Sequence, residues 1–175
     1  MPIVRPAAPD ELPELAAVAA LTFPLACPPH TTDEAKAAFI AAHLTETSFA
    51  GYLADPARDV LVAEVDGRIA GYVMLIEGEP TDAEVAVAIR IRPTVELSKC
   101  YVHPEHQGAG VAGDLMAASL DAAAARGAAG IWLGVNQLNA RAQAFYGKHG
   151  FERVGVKRFL VGERYEDDYV YERAL

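Results

Sequence analysis

Apolar residues recur along this chain at two spacings, and the switch between them marks out its elements. Ile3 to Pro6 predicts a short opening strand. Asp10 then stands as the cap of a helix from Glu11 to about Leu21, with Leu12, Leu15, Val18 and Ala19 repeating on one face. The segment Phe23-Pro24-Leu25-Ala26-Cys27-Pro28-Pro29-His30 reads as a proline-studded loop. Thr32 opens a second helix, Asp33 to about Leu44, and a third helical stretch falls near Ser48 to Leu53.

After Pro56 the period shortens to that of strands. Val60 to Val65 and Arg68 to Ile76 flank Asp66-Gly67, a two-residue hairpin signal. A turn-rich acidic segment, Glu77 to Asp82, follows, and Ala83 to Arg92 stays open between helix and strand because alanines and β-branched residues pull opposite ways. Val95 to Val102 is extended, Gly108 to Arg126 is a loop running into a helix, and Gly130 to Val135 is a strand. Asn139 to His149 predicts a helix stopped by Gly150. Phe151 to Leu160 and Tyr165 to Tyr171 close the chain as two strands. The order predicts an α/β (α+β) domain spanning 1–175, a mixed sheet with helices on both faces.

Composition narrows the function. The chain is 52% hydrophobic and 22% charged, as a globular domain is. A formal net charge of -9 argues against nucleic acid or anionic membrane as a partner and favours cationic small molecules. The alanine-rich run from Leu15 to Leu25 is too short and too proline-broken to span a bilayer. Cys27 and Cys100 form neither a disulfide framework nor a zinc pattern, and the first residues lack the apolar core of a signal peptide. These features predict a cytoplasmic protein acting as a monomer or homodimer.

The stretch His106-Gln107-Gly108-Ala109-Gly110-Val111-Ala112-Gly113-Asp114-Leu115 carries the most chemistry. A glycine-rich turn opening straight into a helix presents unpaired N–H groups at the positive end of the helix dipole, a ready site for phosphate. Gly108-x-Gly110-x-x-Gly113 matches the dinucleotide fingerprint by letter, but His103 to Gln107 separates it from the preceding strand. The next strand also ends at Val135-Asn136-Gln137 without the carboxylate a ribose requires. No Gly-Lys-Ser/Thr follows, so a Walker loop is excluded too. His103-x-x-His106 lacks a third metal ligand, and Cys100 near His103 and Glu105 is the small buried hydrophobe that a strand cysteine ordinarily is. No metal is expected.

Three pieces in order resemble the GNAT family of acetyl-CoA-dependent N-acetyltransferases. They are Glu96-Leu97-x-x-x-Tyr101-Val102 with Pro104, Gln107-x-x-Gly110-x-Ala112, and Asn139-x-x-Ala142-x-x-Phe145-Tyr146-x-Lys148-x-Gly150-Phe151. Ile131-Trp132-Leu133-Gly134-Val135 and its spacing to Asn139 and Tyr146 are similar to the PaiA type of polyamine acetyltransferase. The resemblance implies a mostly antiparallel sheet with a parallel pair at a cofactor-binding split. It also implies acetyl-CoA as donor, with its pyrophosphate on the backbone of Gln107, Gly108, Ala109, Gly110, Val111, Ala112 and Gly113. The Asp114 side chain should then point away. The pantetheine arm would lie along Cys100, Tyr101 and Val102, with Asn139, Ala142, Phe145, Tyr146 and Lys148 as further contacts, and Phe145 turned to the core.

In the same reading Tyr146 is the acid that protonates the leaving thiolate, and a backbone N–H of Tyr101 or Val102 holds the oxyanion. An alkylamine of pKa about 10.4 must lose a proton before it attacks, which calls for a carboxylate. Strand alternation places Glu96 on one face with Ser98 and Cys100, opposite Leu97 and Tyr101, unless a bulge intervenes. Glu96 is therefore the leading base, with Glu77, Glu79 and Glu84 as alternatives. The acceptor wall is expected from Phe23, Cys27, His30, Glu77, Glu79, Asp82, Tyr165, Glu166, Asp167 and Asp168, an acidic set suited to a small cationic amine or polyamine. Two other readings stand beside it: acetylation of a protein N-terminus or lysine, and a non-catalytic acyl-CoA-binding domain.

Overall fold

The computed structural model describes residues 1–175. Strand β1 (Ile3–Pro6) precedes three helices, α1 (Leu12–Ala26), α2 (Asp33–His43) and α3 (Glu46–Ala54). Strands β2 (Arg58–Val65) and β3 (Arg68–Glu77) form a hairpin, followed by the short helix α4 (Ala83–Ala88) and strand β4 (Thr94–Val102). Helix α5 (Val111–Ala125), strand β5 (Gly130–Asn136) and helix α6 (Ala140–Lys148) lead to the closing hairpin of β6 (Glu152–Val161) and β7 (Arg164–Ala174). The seven strands lie in the order β1-β2-β3-β4-β5-β7-β6. Every neighbouring pair is antiparallel except β4 and β5.

The sheet is covered on both faces. Leu115 and Met116 of α5 pack over Val73, Leu75, Val95, Leu97 and Leu133, with α6 alongside. Leu15, Phe23 and Phe49 of α1 and α3 pack over Val62, Tyr72 and Met74 on the opposite face. The Asp66-Gly67 turn takes positive φ at both residues (51° and 75°), as the two-residue hairpin requires.

Three sequence expectations need correcting. The first helix begins after a 3-10 turn at Pro9–Glu11, with Glu11 rather than Asp10 at its cap, and continues through Pro24 to Ala26. Leu15, Val18, Ala19, Thr22 and Phe23 form one buried stripe, so packing extends the helix past the proline, and the chain turns out at Cys27. Only Ala83–Ala88 of the ambiguous segment is helical. Asp82 caps it by accepting from the N–H groups of Glu84 and Val85, while Val85 and Ile89 are buried with Trp132 and Val170.

The third correction concerns the central strand. Met74 pairs with Lys99 and Leu75 with Leu97, which leaves Ser98 as an extra residue in β4. This bulge inverts the alternation beyond it. Val95, Leu97, Cys100 and Val102 all pack toward α5, whereas Tyr101 lies on the α1 side, stacked on Tyr72 with ring centroids 5.8 Å apart. Glu96 therefore shares its face with Lys99 and Tyr101, not with Cys100.

Candidate active site

The parallel pair is short. β4 and β5 are joined only at Thr94–Gly130, Val95–Ile131 and Glu96–Trp132, yet β4 runs on to Val102 and β5 to Asn136. Past Glu96 the strands part, and the β5-facing edge of β4 opens onto a cavity of about 1070 Å³. Cys100, Tyr101 and Val102 line this split from one side, and Gly134, Val135 and Asn136 from the other. An unpaired strand edge can accept an extended ligand as an added strand.

At one mouth of the cavity lies the glycine turn. Gly108 and Gly110 take φ of 83° and 82°, a conformation that side chains resist, and Gly110 is the cap of α5. The first helical bond runs from the Asp114 N–H to the Gly110 carbonyl, so the N–H groups of Gly108, Gly110, Val111, Ala112 and Gly113 have no protein acceptor. A Cβ added at Gly108, Gly110 or Gly113 would meet nothing within 4 Å, which describes an open cradle of donors. A diphosphate fits such a cradle by charge and by hydrogen bonding. Arg141 ties α6 to the turn through the Gln107 side chain at 3.0 Å.

Gln107, Gly108, Gly110, Ala112 and Gly113 line the same cavity as Asn139, Ala142, Phe145, Tyr146 and Lys148. Ala109 and Val111 do not: Ala109 faces solvent, and Val111 is 1% exposed, its side chain anchoring the turn in the core. Asp114 is exposed and away from the cradle. Phe145 is only half-buried and lines the cavity while packing on Tyr146 and His149. Asn139 caps α6 by accepting from the Ala142 N–H at 3.1 Å, which leaves its amide N–H₂ free.

Tyr146 lines the cavity, and its hydroxyl has no hydrogen-bond partner within the chain. Burial, with Cys100 and Tyr101 nearby, holds its pKa well above that of an ordinary phenol, so it stays protonated. Burial also pushes the Cys100 thiol up to about 12, which removes it as a nucleophile at neutral pH. No group of three metal-ligating side chains is present.

The far chamber is walled by α1, α2, Tyr52 of α3, and the β6–β7 hairpin. Burial raises the Glu96 carboxyl above the usual carboxylate range, against the pull of Lys157, Lys99 and Arg58. Lys99 is lowered to about 8 by burial, and Asp168 is raised to about 6 by burial. Glu166 is held by the His30 imidazole at 2.6 Å and by Arg164 at 3.4 Å. Of the expected acceptor wall, Phe23, Cys27, Glu166 and Asp168 line the chamber, and His30 reaches it only through Glu166.

The others are engaged elsewhere or face outward. Arg126 binds Glu77, Arg92 binds Glu79 at 3.0 Å, Arg158 lies 3.9 Å from Glu84, and Asp82 caps α4. Tyr165 and Asp167 are exposed, away from the cavity. Glu77, Glu79 and Glu84 thus lie outside the cavity lining, and the acidic wall is smaller than its sequence suggests. Arg58, Lys99, Lys157 and Tyr52, which the sequence reading passed over, stand in the chamber instead. A lysine in the interior of the central strand, three residues after Glu96, was the available signal for Lys99.

The family model of the GNAT acetyltransferases matches residues 23–151. The chain belongs to this family. An uncharacterized N-acetyltransferase of Mycobacterium tuberculosis is 50% identical over 162 residues, covering 93% of this chain and 96% of that protein. The crystal structure of a PaiA N-acetyltransferase from Thermoplasma acidophilum in complex with coenzyme A superposes with a TM-score of 0.79 at 18% identity, covering 100% of this chain and 99% of that one. A ribosomal-protein-alanine N-acetyltransferase from Brucella melitensis superposes with a TM-score of 0.67 at 25% identity, covering 99% of each chain.

As a GNAT acetyltransferase the chain uses acetyl-CoA and moves its acetyl group to an amine. The glycine cradle and the open β4 edge present main-chain groups without protein partners. The far chamber supplies titratable side chains. No helix is long and apolar enough to cross a membrane.

Proposed function

We propose that this protein is a single GNAT domain that acetylates the primary amine of a small molecule by direct transfer from acetyl-CoA. The observation that carries this reading is one continuous cavity, running from the glycine cradle through the β4–β5 split to Glu96, Lys99 and Asp168. Donor and acceptor can meet there in a ternary complex without an enzyme-bound acetyl intermediate.

The main-chain N–H groups of Gly108, Gly110, Val111, Ala112 and Gly113 hold the diphosphate, and the backbone of Cys100 to Val102 pairs with the pantetheine arm. The His103 N–H donates to the Ala70 carbonyl of β3, so the Tyr101 N–H two residues back also points to β3, and it is the Val102 N–H, on the open edge, that faces the thioester carbonyl and stabilises the charge that develops on its oxygen. Glu96 takes a proton from the acceptor ammonium, directly or through water, so that the neutral amine attacks. The N–C bond forms as the C–S bond breaks, Tyr146 gives its proton to the departing sulfur, the second proton lost from the nitrogen restores the Tyr146 hydroxyl, and the proton taken by Glu96 is the one released overall. Acetyl transfer to nitrogen needs no metal here.

A small molecule is favoured over a protein acceptor because the chamber is roofed. The His30–Glu166 bond fastens the segment between α1 and α2 to β7, and Phe39 of α2 packs on Phe159 of β6 at 5.7 Å. A peptide chain would need that seam opened. The polyamine version has weaker support, since Glu77, Glu79 and Asp82 lie outside the chamber. The formal net charge of -9 fits a cytoplasmic setting. The test is free-thiol release from acetyl-CoA with amines and with short peptides. Turnover on small amines but not peptides is expected; thiol release with peptides alone would overturn the reading.

A further inference from the structure

The far chamber holds charges of both signs, and several lack partners. Lys99 and Lys157 line it without forming a hydrogen bond or ion pair within 4.0 Å. Their ammonium groups are held by aromatic faces: Lys99 lies 6.0 Å from the Tyr52 ring, and Lys157 lies 5.8 and 5.5 Å from the rings of Trp132 and Phe159. Arg58 lies 5.0 Å from the same Tyr52 ring, one side of its guanidinium taken by Asp55 at 3.0 Å. Asp168 is 7% exposed, lines the cavity and has no hydrogen-bond partner; Glu96 has none either.

The charges are sorted in space. Lys157 and Asp168 face each other across Gly134, where a Cβ would stand 3.7 Å from the ammonium nitrogen and 3.4 Å from the carboxylate oxygen. They partly offset one another. Lys99 and Arg58 gather instead on the α3 side around Tyr52, two cations with Glu96 as the acidic neighbour that both feel. Burial lowers the Lys99 pKa to about 8, the mark of an ammonium short of a counter-charge.

A purely cationic guest such as a polyamine would add charge beside these two cations without supplying the ion-pair partner that Lys99 lacks and that Arg58 has only on its Asp55 side. A guest with a carboxylate would pair with them while its amine met the carboxylates. We infer that the acceptor is an amino-carboxylate, an amino acid or close relative, its carboxylate held by Lys99 and Arg58 and its amine directed to Glu96 and Asp168. This rests on the acetyl-transfer reading of the same cavity and adds the substrate class. Arg58 and Lys99 are then specificity groups, binding the part of the acceptor that does not react.

The experiment compares amines that differ only in the carboxylate, by thiol release from saturating acetyl-CoA: ornithine against putrescine, phenylalanine against phenethylamine, 4-aminobutyrate against butylamine, with spermidine alongside. At least one carboxylate-bearing member should exceed its partner and spermidine by about tenfold or more in kcat/KM, as a charge-assisted contact implies. Lys99→Met should erase that preference through KM, while Lys99→Arg, which keeps the charge, should retain part of it. Equal or better turnover of the amines lacking a carboxylate, or a preference unchanged in Lys99→Met, overturns the inference and leaves acetyl transfer standing. No turnover on any member, with acetyl-CoA shown to bind, overturns both.

Discussion

On the proposed reading, the two ends of the cavity recognise their ligands by different means. The donor end is built from backbone: N–H groups at Gly108 to Gly113 and the unpaired edge of β4, with side chains kept small or turned away, as at Ala112 and Asp114. The acceptor end is built from side chains contributed by α1, α2, α3, β4, β6 and β7. Main-chain recognition fixes one ligand chemistry and tolerates sequence change around it. Side-chain recognition can be retuned residue by residue, so specificity within such a fold lies at the acceptor end.

Substitutions on either side should separate the two functions. The largest effect belongs to the junction between them. Tyr146→Phe should lower kcat by about 100-fold or more while acetyl-CoA affinity stays within about twofold, because the lost group is an acid acting in the transition state. Single-turnover kinetics with calorimetry would check it, and unchanged turnover would remove Tyr146 as the acid.

Glu96→Gln should lower kcat/KM by about 10- to 100-fold near neutral pH, with the deficit shrinking as pH rises toward the acceptor's own pKa. A pH–rate profile is the readout, and a deficit independent of pH would assign Glu96 to binding alone. On the donor side, Gly110→Val places a β-branched residue at φ 82°. It should weaken acetyl-CoA binding by about tenfold or more at that strained position, with the acceptor KM little changed.

The smallest effect is on stability. The folded pKa of Asp168, about 6, lies above its ordinary 3.8, so the folded state holds its proton more tightly than the unfolded chain does. Stability therefore falls as pH rises from about 4 to about 6 and stays lowered above that, by up to about 3 kcal/mol from this one group. Asp168→Asn should unfold at a higher temperature than the parent at pH 8, by up to several degrees, with the gap closing near pH 4. A gap that persisted at pH 4 would show that the carboxylate is not strained by burial. The same variant should lose acetylation, a cost to function in exchange for stability.

Most of the donor end was legible in the sequence because it is local. The glycine turn, the strand before it and the Asn139–Tyr146 spacing are short-range patterns, and backbone recognition depends on little else. Gly150, with φ 86°, ends α6 where the pattern placed its stop. The acceptor end was legible only in part, since its residues come together through packing. The bulge at Ser98 shows why: one inserted residue moves Lys99 and Tyr101 onto the face of Glu96, and nothing in the local sequence announces it. Pro24 misled for a related reason, since the buried stripe through Phe23 outweighs the local preference of a proline to end the helix.

Main-chain donors at the glycine turn are proposed to hold coenzyme A at the mouth of a cavity leading to Tyr146. Calorimetric titration of acetyl-CoA into the parent, Gly110→Val and Tyr146→Phe proteins tests it most directly. One saturable site in the parent, preserved in Tyr146→Phe and weakened in Gly110→Val, is the predicted result. No saturable binding in the parent, or equal affinity in Gly110→Val, would contradict it.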